Sequence, residues 1–396
     1  MAEERADALV IGAGVAGAAV AYHLARRALG RVVAFEARTP AAGATGRAAG
    51  IVSEQLWDRW DVEVVRESKA EYAALASRAA PGIYRTNGFL RWTTDEEVAE
   101  ALRARVAELR AWNADVRLIE PTELARLLPA VRVDDLVAIA YAPTDAVVAP
   151  SSLAEAYVAE GRRLGVDWKL VAPVGRISRQ GAAWSWSTRG TTYTAPVAVV
   201  AAGAWSKQLL TASGFPLPLA PYRTQAAVLT LPERLPESAP SFDDLDTDVY
   251  ARPEENGRLL AGDGTERVEA DPETFVPTGD PEFVAHLAES FQERLPTWAD
   301  ARLVRAWAGV CVATPDRRAL VGPVPGAPGL YTITGFNGFG VMRAGGAAAR
   351  LVEAIVGGGA AGAGLASVNP ERFAGRLPSF TPHDGFTLQA GDDPAF

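Results

Sequence analysis

Near its start the chain reads A-L-V-I-G-A-G-V-A-G-A-A-V-A-Y-H-L-A-R-R, an apolar strand that runs through a glycine turn into a helix. Gly12, Gly14 and Gly17 form the pattern G-x-G-x-x-G at that junction. The first glycine permits a tight turn, the second lets a pyrophosphate approach the backbone, and the third lets the helix pack on the strand. The helix runs to about Arg27, and its N-terminus supplies free N–H groups and a positive dipole end that favour phosphates. This pattern predicts an α/β unit with a parallel sheet that binds a dinucleotide.

An acidic residue follows at the distance that such a unit requires. The segment R-V-V-A-F-E is predicted as the next parallel strand, and Glu36 at its end lies 19 residues after Gly17. A carboxylate in this place can accept hydrogen bonds from a ribose diol. A glycine motif alone could also be a structural turn beside an unrelated surface glutamate. Strand, helix and acidic residue in register favour the dinucleotide site.

Composition excludes several other classes of function. A chain of 396 residues is too long for one ordinary core, which favours two domains. The net charge of −9, with no basic stripe, argues against a nucleic-acid partner. Cys311 is the only cysteine and the three histidines lack metal-ligand spacing, so we expect no disulfide and no metal site. The acidic start and the glycine-broken apolar run predict no signal peptide and no membrane span, and hence a cytoplasmic protein.

Helix-like and strand-like patterns alternate along the rest of the chain. Apolar periodicity predicts helices at 61–80, 95–112, 151–165 and 341–356. A buried strand runs from Ala195 into a glycine turn, and Pro-rich alternating runs between 216 and 275 predict an antiparallel sheet. Because strand–turn–helix units stand at both ends and in the middle, we expect one domain to be discontinuous in sequence.

Further motifs give the chain a likeness to a known superfamily. A loop of small residues, A-A-G-A-T-G-R-A-A-G-I-V, would allow a ligand to approach the backbone closely. Together with V-A-V-V-A-A-G-A-W-S, T-P-D-R-R-A-L-V-G and G-F-N-G-F-G-V-M, it resembles the FAD-dependent amine oxidoreductases. That superfamily includes D-amino-acid oxidase, sarcosine oxidase, glycine oxidase and dimethylglycine dehydrogenase. The order and spacing of the motifs, up to about residue 373, carry the resemblance.

The resemblance implies an α/β fold with two domains. One is a Rossmann-like FAD-binding domain, discontinuous in sequence, and the other is a substrate domain with a mainly antiparallel β-sheet that covers the reactive face of the flavin. The predicted segments are 1–85, 145–215 and 306–373 for the FAD-binding domain, 86–144 and 216–305 for the substrate domain, and 374–396 for a C-terminal tail.

The resemblance also implies which residues hold the cofactor, FAD. The implied set is Gly12, Gly14, Val15, Ala16, Gly17, Glu36, Ala37 and Arg38 at the adenosine and pyrophosphate end, Thr45, Gly46, Arg47, Ala48, Ala49 and Gly50 along the isoalloxazine, Val174 at the adenine, Ala202, Gly203, Trp205 and Gly309 near the flavin, and Gly335, Asn337, Gly338, Phe339, Gly340 and Val341 at its pyrimidine edge. The last group has a physical rationale. Hydride arrival at N5 leaves negative charge around N1 and C2=O, which a helix beginning at Val341 would stabilise.

Relatives remove a hydride from the carbon beside a nitrogen and give an imine that water hydrolyses. The resemblance therefore implies a small-molecule amine as substrate, and oxygen or another electron acceptor. No histidine is placed as a general base, which suits a neutral amine. A 2-hydroxy acid as substrate, or a flavoprotein subunit of an electron-transfer complex, are the alternatives.

Four residues are candidates for the substrate side of the site. Tyr250 matches the tyrosine that relatives aim at the substrate, although it could be a packing aromatic. Arg252 alternates in phase with Tyr250, so it faces either the same site or solvent at a sheet edge. Arg47 in the small-residue loop could contact a substrate carboxylate or the cofactor. We interpret Cys311 as a small, soft pocket residue in preference to a nucleophile.

Two departures from the superfamily leave the substrate open. Glycine oxidase-like relatives carry a carboxylate-clamping arginine where Cys311 stands, and monomeric sarcosine oxidases carry a lysine where Met342 stands. Either another arginine replaces these clamps or the substrate lacks a simple α-carboxylate. Arg223 and Arg343 are weaker candidates that we interpret as structural, and Tyr222 as a packing residue.

The cofactor is expected to be bound without a covalent bond. Relatives that attach the flavin to a cysteine do so at the position of Gly309, about 6.6 Å along the strand from Cys311. The lysine with which sarcosine oxidases activate oxygen has no counterpart at Leu259–Ala261. Its absence favours a dehydrogenase over an oxidase.

Overall fold

Short runs of β-branched and aromatic residues form the strands of the computed structural model, which describes residues 2–79, 81–263, 269–357, 362 and 364–375. The strands in this part of the chain are β1 (Ala2–Arg5), β2 (Ala8–Ile11), β3 (Val32–Glu36), β4 (Ile51–Val52), β5 (Tyr84–Thr86), β6 (Phe89–Thr93), β7 (Arg117–Leu118), β8 (Ala138–Ala142), β9 (Ala146–Val148), β10 (Asp167–Leu170), β11 (Ser178–Gln180), β12 (Ala183–Thr188), β13 (Thr191–Ala195), β14 (Val197–Val200), β15 (Ala220–Thr230), β16 (Ser241–Asp244), β17 (Val249–Glu254), β18 (Arg258–Asp263), β19 (Arg302–Ala313), β20 (Leu320–Pro323) and β21 (Leu330–Thr334). The α-helices are α1 (Val15–Arg26), α2 (Arg59–Ala79), α3 (Glu96–Ala111), α4 (Pro121–Leu127), α5 (Pro150–Arg163), α6 (Ser206–Ala212), α7 (Pro281–Arg294) and α8 (Gly340–Gly357).

A six-stranded sheet carries the glycine turn. Its order is β10-β3-β2-β14-β21-β20, and every pair is parallel except β20 with β21. The strands β2 and β14 are buried along almost their whole length, as expected for a sheet that is covered on both faces. Helices α1, α2, α5 and α8 pack together on one face. A four-stranded sheet, β1-β13-β12-β11, covers the other face through Trp184 and Trp186.

A second large sheet lies across the carboxyl ends of these strands. Its eight strands follow the order β19-β15-β18-β17-β16-β6-β8-β7, and β16 with β6 is its one parallel pair. Helices α4 and α7 pack on one face of this sheet, where Trp92 stacks on Phe242 at 5.0 Å. The opposite face carries Ala226, Tyr250 and Trp307, and we call it the cavity face. The predicted fold class, with a mainly antiparallel second sheet, is confirmed.

The element bounds agree with the sequence pattern to within about two residues at most helix ends. The predicted helices at 61–80, 95–112, 151–165 and 341–356 correspond to α2, α3, α5 and α8. The predicted domain boundary at residue 306 falls inside β19, which pairs with β15 from Arg302 to Ala313. That strand therefore belongs to the eight-stranded sheet along its whole length. Most of the predicted tail, from residue 376 on, lies outside the described residues.

Within the described part of the chain, no helix combines the length and the apolar character needed to cross a bilayer.

Two adjacent glycines let α8 lie directly on α2. A Cβ atom on Gly346 would come within 2.4 Å of the Val64 carbonyl oxygen, so the helices touch backbone to backbone. Ser68 accepts a hydrogen bond from the Gly346 N–H at 2.9 Å. The Tyr72 hydroxyl donates to the Val341 carbonyl at 2.8 Å and accepts from the Gly345 N–H at 3.1 Å. These contacts fix the position at which α8 begins.

We predict that Gly346→Ala lowers the free energy of unfolding by about 1–3 kcal/mol, because the added methyl group must separate α2 from α8. Helix propensity alone would favour alanine by about 1 kcal/mol. Gly161→Ala in α5 is the matched control, since a Cβ there meets only side-chain atoms at 3.4 Å or more. Urea unfolding should show Gly161→Ala to be neutral or stabilising. Equal effects of the two substitutions would contradict the close contact.

Candidate functional site

A cavity of about 610 Å³ lies between the carboxyl ends of the parallel strands and the cavity face of the large sheet. It begins beside Glu36 and Val174, passes the glycine turn, and ends against Tyr250 and Cys311. Ligands of open α/β sheets bind at this edge, because the loops that follow the strands converge there.

The glycines of the first turn have different surroundings. Gly12 has φ +110°, and a Cβ on it would lie 2.3 Å from the Ala201 carbonyl oxygen. A Cβ on Gly17 would lie 2.1 Å from the Gly12 carbonyl oxygen. Gly14 lines the cavity, and a Cβ there would meet only the Thr45 hydroxyl oxygen, at 3.2 Å. Gly12 and Gly17 are therefore required by packing, and Gly14 leaves room on the cavity side.

The acidic residue at the end of β3 is tied to the glycine turn. The carboxylate of Glu36 accepts hydrogen bonds from the N–H groups of Ala13 and Arg38, each at 2.8 Å. One bond uses each carboxylate oxygen, and each oxygen keeps a second acceptor site. Glu36, Ala37 and Arg38 all line the cavity, which agrees with a role at the ribose.

The small-residue loop between β3 and β4 forms the wall opposite the large sheet. Arg47 donates from Nη1 to the carbonyl oxygens of Ala42, at 2.5 Å, and Gly43, at 3.1 Å. A Cβ on Gly309 would lie 3.1 Å from the Arg47 Cδ atom, so the arginine stem crosses β19 at a position without a side chain. The Arg47 carbonyl accepts from the Trp307 indole N–H at 3.1 Å. These contacts join the loop to the sheet.

The second glycine turn, residues 335–340, holds the beginning of α8 against the cavity. The Asn337 side chain accepts from the Thr314 N–H at 3.0 Å and donates to the carbonyls of Gly335 and Arg317, both at 2.8 Å. Asn337 itself has φ +53°. Its side chain therefore shapes the turn, whose backbone lines the cavity up to Val341. The first turn of α8 contains no acidic residue, so its positive dipole end is retained.

A row of side chains crosses the cavity face of the large sheet. Arg91 on β6 pairs with Asp243 on β16, and Asp243 pairs with Tyr250 on β17. Tyr250 pairs with Gly262 on β18, where a Cβ would lie 2.3 Å from the tyrosine hydroxyl. Because Gly262 has no side chain, the Tyr250 ring can lie across β18. Burial raises the pKa of Tyr250, and the nearby carboxylates of Asp263 and Asp243 raise it further. The phenol therefore stays protonated at neutral pH.

Arg252 does not line the cavity, in contrast to the prediction that it faces the substrate with Tyr250. Its guanidinium donates to the Ala49 carbonyl, to the Pro253 carbonyl at 3.1 Å, and to the Glu254 carboxylate. It is also 7% exposed, so it is no solvated edge residue. The Ala49 carbonyl thus draws the Arg252 side chain toward the small-residue loop.

The structure brings most of the other predicted residues together around this cavity. Gly17 and Gly46 stand behind the wall, because a Cβ on Gly46 would lie 2.5 Å from the Ala41 carbonyl oxygen. Cys311 is half-buried and lies opposite Tyr222 in the β15–β19 pair. Several lining residues were not among the sequence candidates: Arg91, Asp243, Thr224, Gln225, Trp307, Asp248 and Asp263. Tyr222, interpreted from the sequence as packing, lines the cavity as well. The alternation along β15 could have indicated Tyr222 and Thr224.

A segment of residues 269–280, the strap, crosses from the large sheet to the other end of the cavity. Arg223 anchors it by donating to both carboxylate oxygens of Asp280, at 2.5 and 2.9 Å. At the cavity end, Glu273 accepts from the Trp205 indole N–H and pairs with Arg38 at 3.3 Å. Both members of the Arg38–Glu273 pair are 53% exposed.

The cavity fits FAD by its shape and its chemistry. It runs without a break from the Glu36 carboxylate, past the N-terminus of α1 and Gly14, which leaves room on the cavity side, to the N-terminus of α8. These are acceptors for a ribose, donors for a pyrophosphate and a positive dipole end for an electron-rich ring. Among the described residues, no cluster of His, Cys, Asp and Glu is arranged to hold a metal ion.

Comparison with known proteins agrees with this fit. The family model described as FAD dependent oxidoreductase matches residues 7–354. Mitochondrial dimethylglycine dehydrogenase of Rattus norvegicus is 27% identical over 371 residues, covering 89% of this chain and 43% of the relative. Glycine oxidase of Geobacillus kaustophilus (strain HTA426) is 27% identical over 352 residues, covering 85% of this chain and 89% of the relative. The chain therefore spans less than half the length of the dimethylglycine dehydrogenases that it matches.

A solved structure supports the fold independently. The crystal structure of L-proline dehydrogenase from P. horikoshii superposes with a TM-score of 0.86 at 22% identity. The match covers 95% of this chain and 100% of that chain. At this level of identity the likeness establishes the architecture alone.

We predict that Gly14→Ala weakens FAD binding at least about tenfold and changes the stability of the apoprotein by less than about 1 kcal/mol. The added methyl group enters the cavity where a pyrophosphate is expected, and it displaces only the Thr45 hydroxyl. Gly12→Ala is the contrasting variant, since steric overlap and the positive φ should destabilise the apoprotein by more than about 2 kcal/mol. Flavin fluorescence titration and urea unfolding measure the two effects. Wild-type affinity in Gly14→Ala would contradict the placement of the pyrophosphate.

We also predict that the strap slows FAD release. Glu273→Gln removes an exposed ion pair worth up to about 1 kcal/mol, so FAD should dissociate about two- to fivefold faster at low salt. High salt should abolish the difference, because it screens exposed charges. Glu289→Gln, on the exposed side of α7, is the control for loss of one negative charge. Unchanged or slower release from Glu273→Gln, followed by flavin fluorescence, would refute this role.

Proposed function

Because this chain belongs to the family of FAD dependent oxidoreductases, we propose that it oxidises a small amine at the carbon beside the nitrogen. The products are a two-electron-reduced cofactor and an imine, which water hydrolyses. The class of substrate comprises amino acids and secondary or N-methylated amines. The proposal extends to the electron acceptor, which is oxygen or another redox partner.

The observation that carries this proposal is the continuity of the cavity between the glycine turn and Tyr250. A dinucleotide laid along the turn fills one end, and the cavity face of the sheet closes the other. FAD, when bound, supplies the hydride acceptor. The side chains of the sheet then have to orient a carbon–hydrogen bond and exclude water.

The side chains at the sheet end suit an amine. Tyr250 remains protonated and can hold a nitrogen or a carboxylate by hydrogen bonds, but it is no base at neutral pH. No histidine occurs among the described residues that line the cavity. A 2-hydroxy acid requires a base for its hydroxyl proton, whereas a neutral amine transfers a hydride without one. The lining therefore favours the amine.

The relatives support the same substrate class. Their names state activities on dimethylglycine and on glycine. Non-covalent binding of FAD is part of the proposal, because Gly309, where related flavoproteins carry the anchoring cysteine, has no side chain and contacts the stem of Arg47. Cys311 faces Tyr222 further along the strand.

We predict that amines, added under anaerobic conditions, bleach the visible band of the bound flavin. A panel of N-methylated amino acids, primary amino acids, uncharged secondary amines and 2-hydroxy acids separates the substrate classes. Tyr250→Phe should lower the rate of bleaching about tenfold or more at unchanged FAD content, because a positioned hydrogen bond is lost. Bleaching by hydroxy acids alone would replace the proposed substrate class. A rate equal to wild type in Tyr250→Phe would remove that residue from the reaction.

A further inference from the structure

The arginines considered from the sequence are all committed elsewhere. Arg47 and Arg252 donate to carbonyls of the small-residue loop, and Arg223 holds the strap. Arg343 is fully buried and pairs with Asp61 at 2.8 Å. The positions at which relatives place a carboxylate clamp carry Cys311 and Met342. If the substrate has a carboxylate, its cation has to come from another element.

Arg91 lines the cavity from the large sheet and was missed from the sequence. Its strand, β6, is two strands away from Tyr250, with Asp243 on the strand between them. Neighbouring strands are about 4.8 Å apart, so the row from Tyr250 to Arg91 spans about 10 Å between backbones. The bond to Asp243 turns the Arg91 side chain toward the strand between them, and Arg91 and Tyr250 line the same cavity.

The contacts of Arg91 fix one part of its guanidinium and leave another open. Nε donates to the Asp243 carboxylate at 3.0 Å, and Nη1 donates to the Gln55 carbonyl at 2.7 Å. The guanidinium also lies 5.5 Å from the centre of the Phe89 ring. Nη2 has no hydrogen-bond partner among the described residues. It is not fully buried either, so it remains accessible. Since the side chain is 11% exposed, this group reaches solvent through the cavity.

This geometry is that of an anion receptor. A guanidinium held at two points loses little further entropy when it binds a carboxylate. Asp243 balances its charge in the free protein, so burial beside Phe89 is tolerated. The same carboxylate keeps a second oxygen, which can accept a hydrogen bond from the N–H of a neutral substrate amine. The carboxylate and the nitrogen of one amino acid thus both find a partner at one end of the row.

We propose that Arg91 determines specificity by receiving the carboxylate of the amine substrate, with Asp243 as the positioning residue that holds it. The inference rests on the proposed function, the oxidation of an amine. It names the residue that selects amino acids over amines without a carboxylate. It replaces the clamps that are absent at Cys311 and Met342 by a charge on a different strand.

Ligand binding to the FAD-loaded protein tests this without turnover. Propionate and propionamide have the same shape, are not oxidised, and differ in charge. Each is titrated while the absorbance of the bound flavin is followed. Propionate should bind wild type at least about tenfold more tightly than Arg91→Met, because a charge-assisted hydrogen bond is lost. Propionamide should bind both proteins equally.

Four further variants sharpen the result. Arg91→Lys keeps the charge without the planar fork and should bind propionate with intermediate affinity. Arg91→Gln keeps hydrogen-bonding capacity toward Asp243, and it replaces Arg91→Met if that variant fails to fold. Arg103→Met, on the exposed side of α3, is the control for loss of one arginine. Asp243→Asn should weaken propionate binding less than Arg91→Met does.

Equal propionate affinity in wild type and in the Arg91 variants would overturn the inference, and so would a parallel loss of propionamide binding. Failure of the proposed function has a different signature. In that case no amine bleaches the flavin, while the difference between propionate and propionamide is still measured. Bleaching by amines together with an unchanged propionate affinity would overturn the inference on Arg91 alone.

Discussion

Contact between backbones at the first glycine turn is the constraint on which the structure depends. Gly12 passes the Ala201 carbonyl, and Gly17 lies on the Gly12 carbonyl, so α1 rests directly on the end of β2. This places the beginning of α1 at the cavity. Because α8 packs on both α1 and α2, the position of α1 also determines where the second helix N-terminus lies. Two helix termini that are remote in sequence thereby open onto one cavity, and a single side chain on Gly12 or Gly17 would separate them.

The two large sheets form one site because arginine and tryptophan side chains join them. Arg252 reaches the Ala49 carbonyl from β17, and Trp307 reaches the Arg47 carbonyl from β19. Both acceptors belong to the small-residue loop, which lines the cavity. A loop of small residues has few side chains of its own to hold it, so it depends on donors from the opposite layer. Arg252 thereby supports the cavity wall without lining the cavity, and Trp307 both supports the wall and lines the cavity.

The sequence predicted those parts of the site that are local in the chain. These parts are the glycine turn with Glu36, the small-residue loop and the turn from Gly335 onward. Each has a defined spacing in the sequence, and each lines the cavity except at Gly17 and Gly46, which stand behind its wall. The family predicted from these motifs is confirmed by the match over residues 7–354. The roles of Arg91 and Arg252 could not be predicted in the same way. Alternation along a strand gives the face of a side chain, but its partners depend on which distant strand lies beside it.

Arg91 and Asp243 illustrate this, since they are 152 residues apart and meet through the one parallel pair in the large sheet. Two buried ion pairs extend the argument to the segment between β4 and α2. Lys69 contacts Glu54 within this segment at 3.0 Å, and Arg343 contacts Asp61, in the first turn of α2 just after it, at 2.8 Å. Burial raises the pKa of Asp61 to about 7, although the arginine opposes this shift. Such pairs add little net stability, but they tolerate few alternative arrangements. They therefore hold in place the segment that contains Gln55, whose carbonyl accepts a hydrogen bond from Arg91. The position of Arg91 in the cavity thus depends on charged pairs that lie outside the cavity.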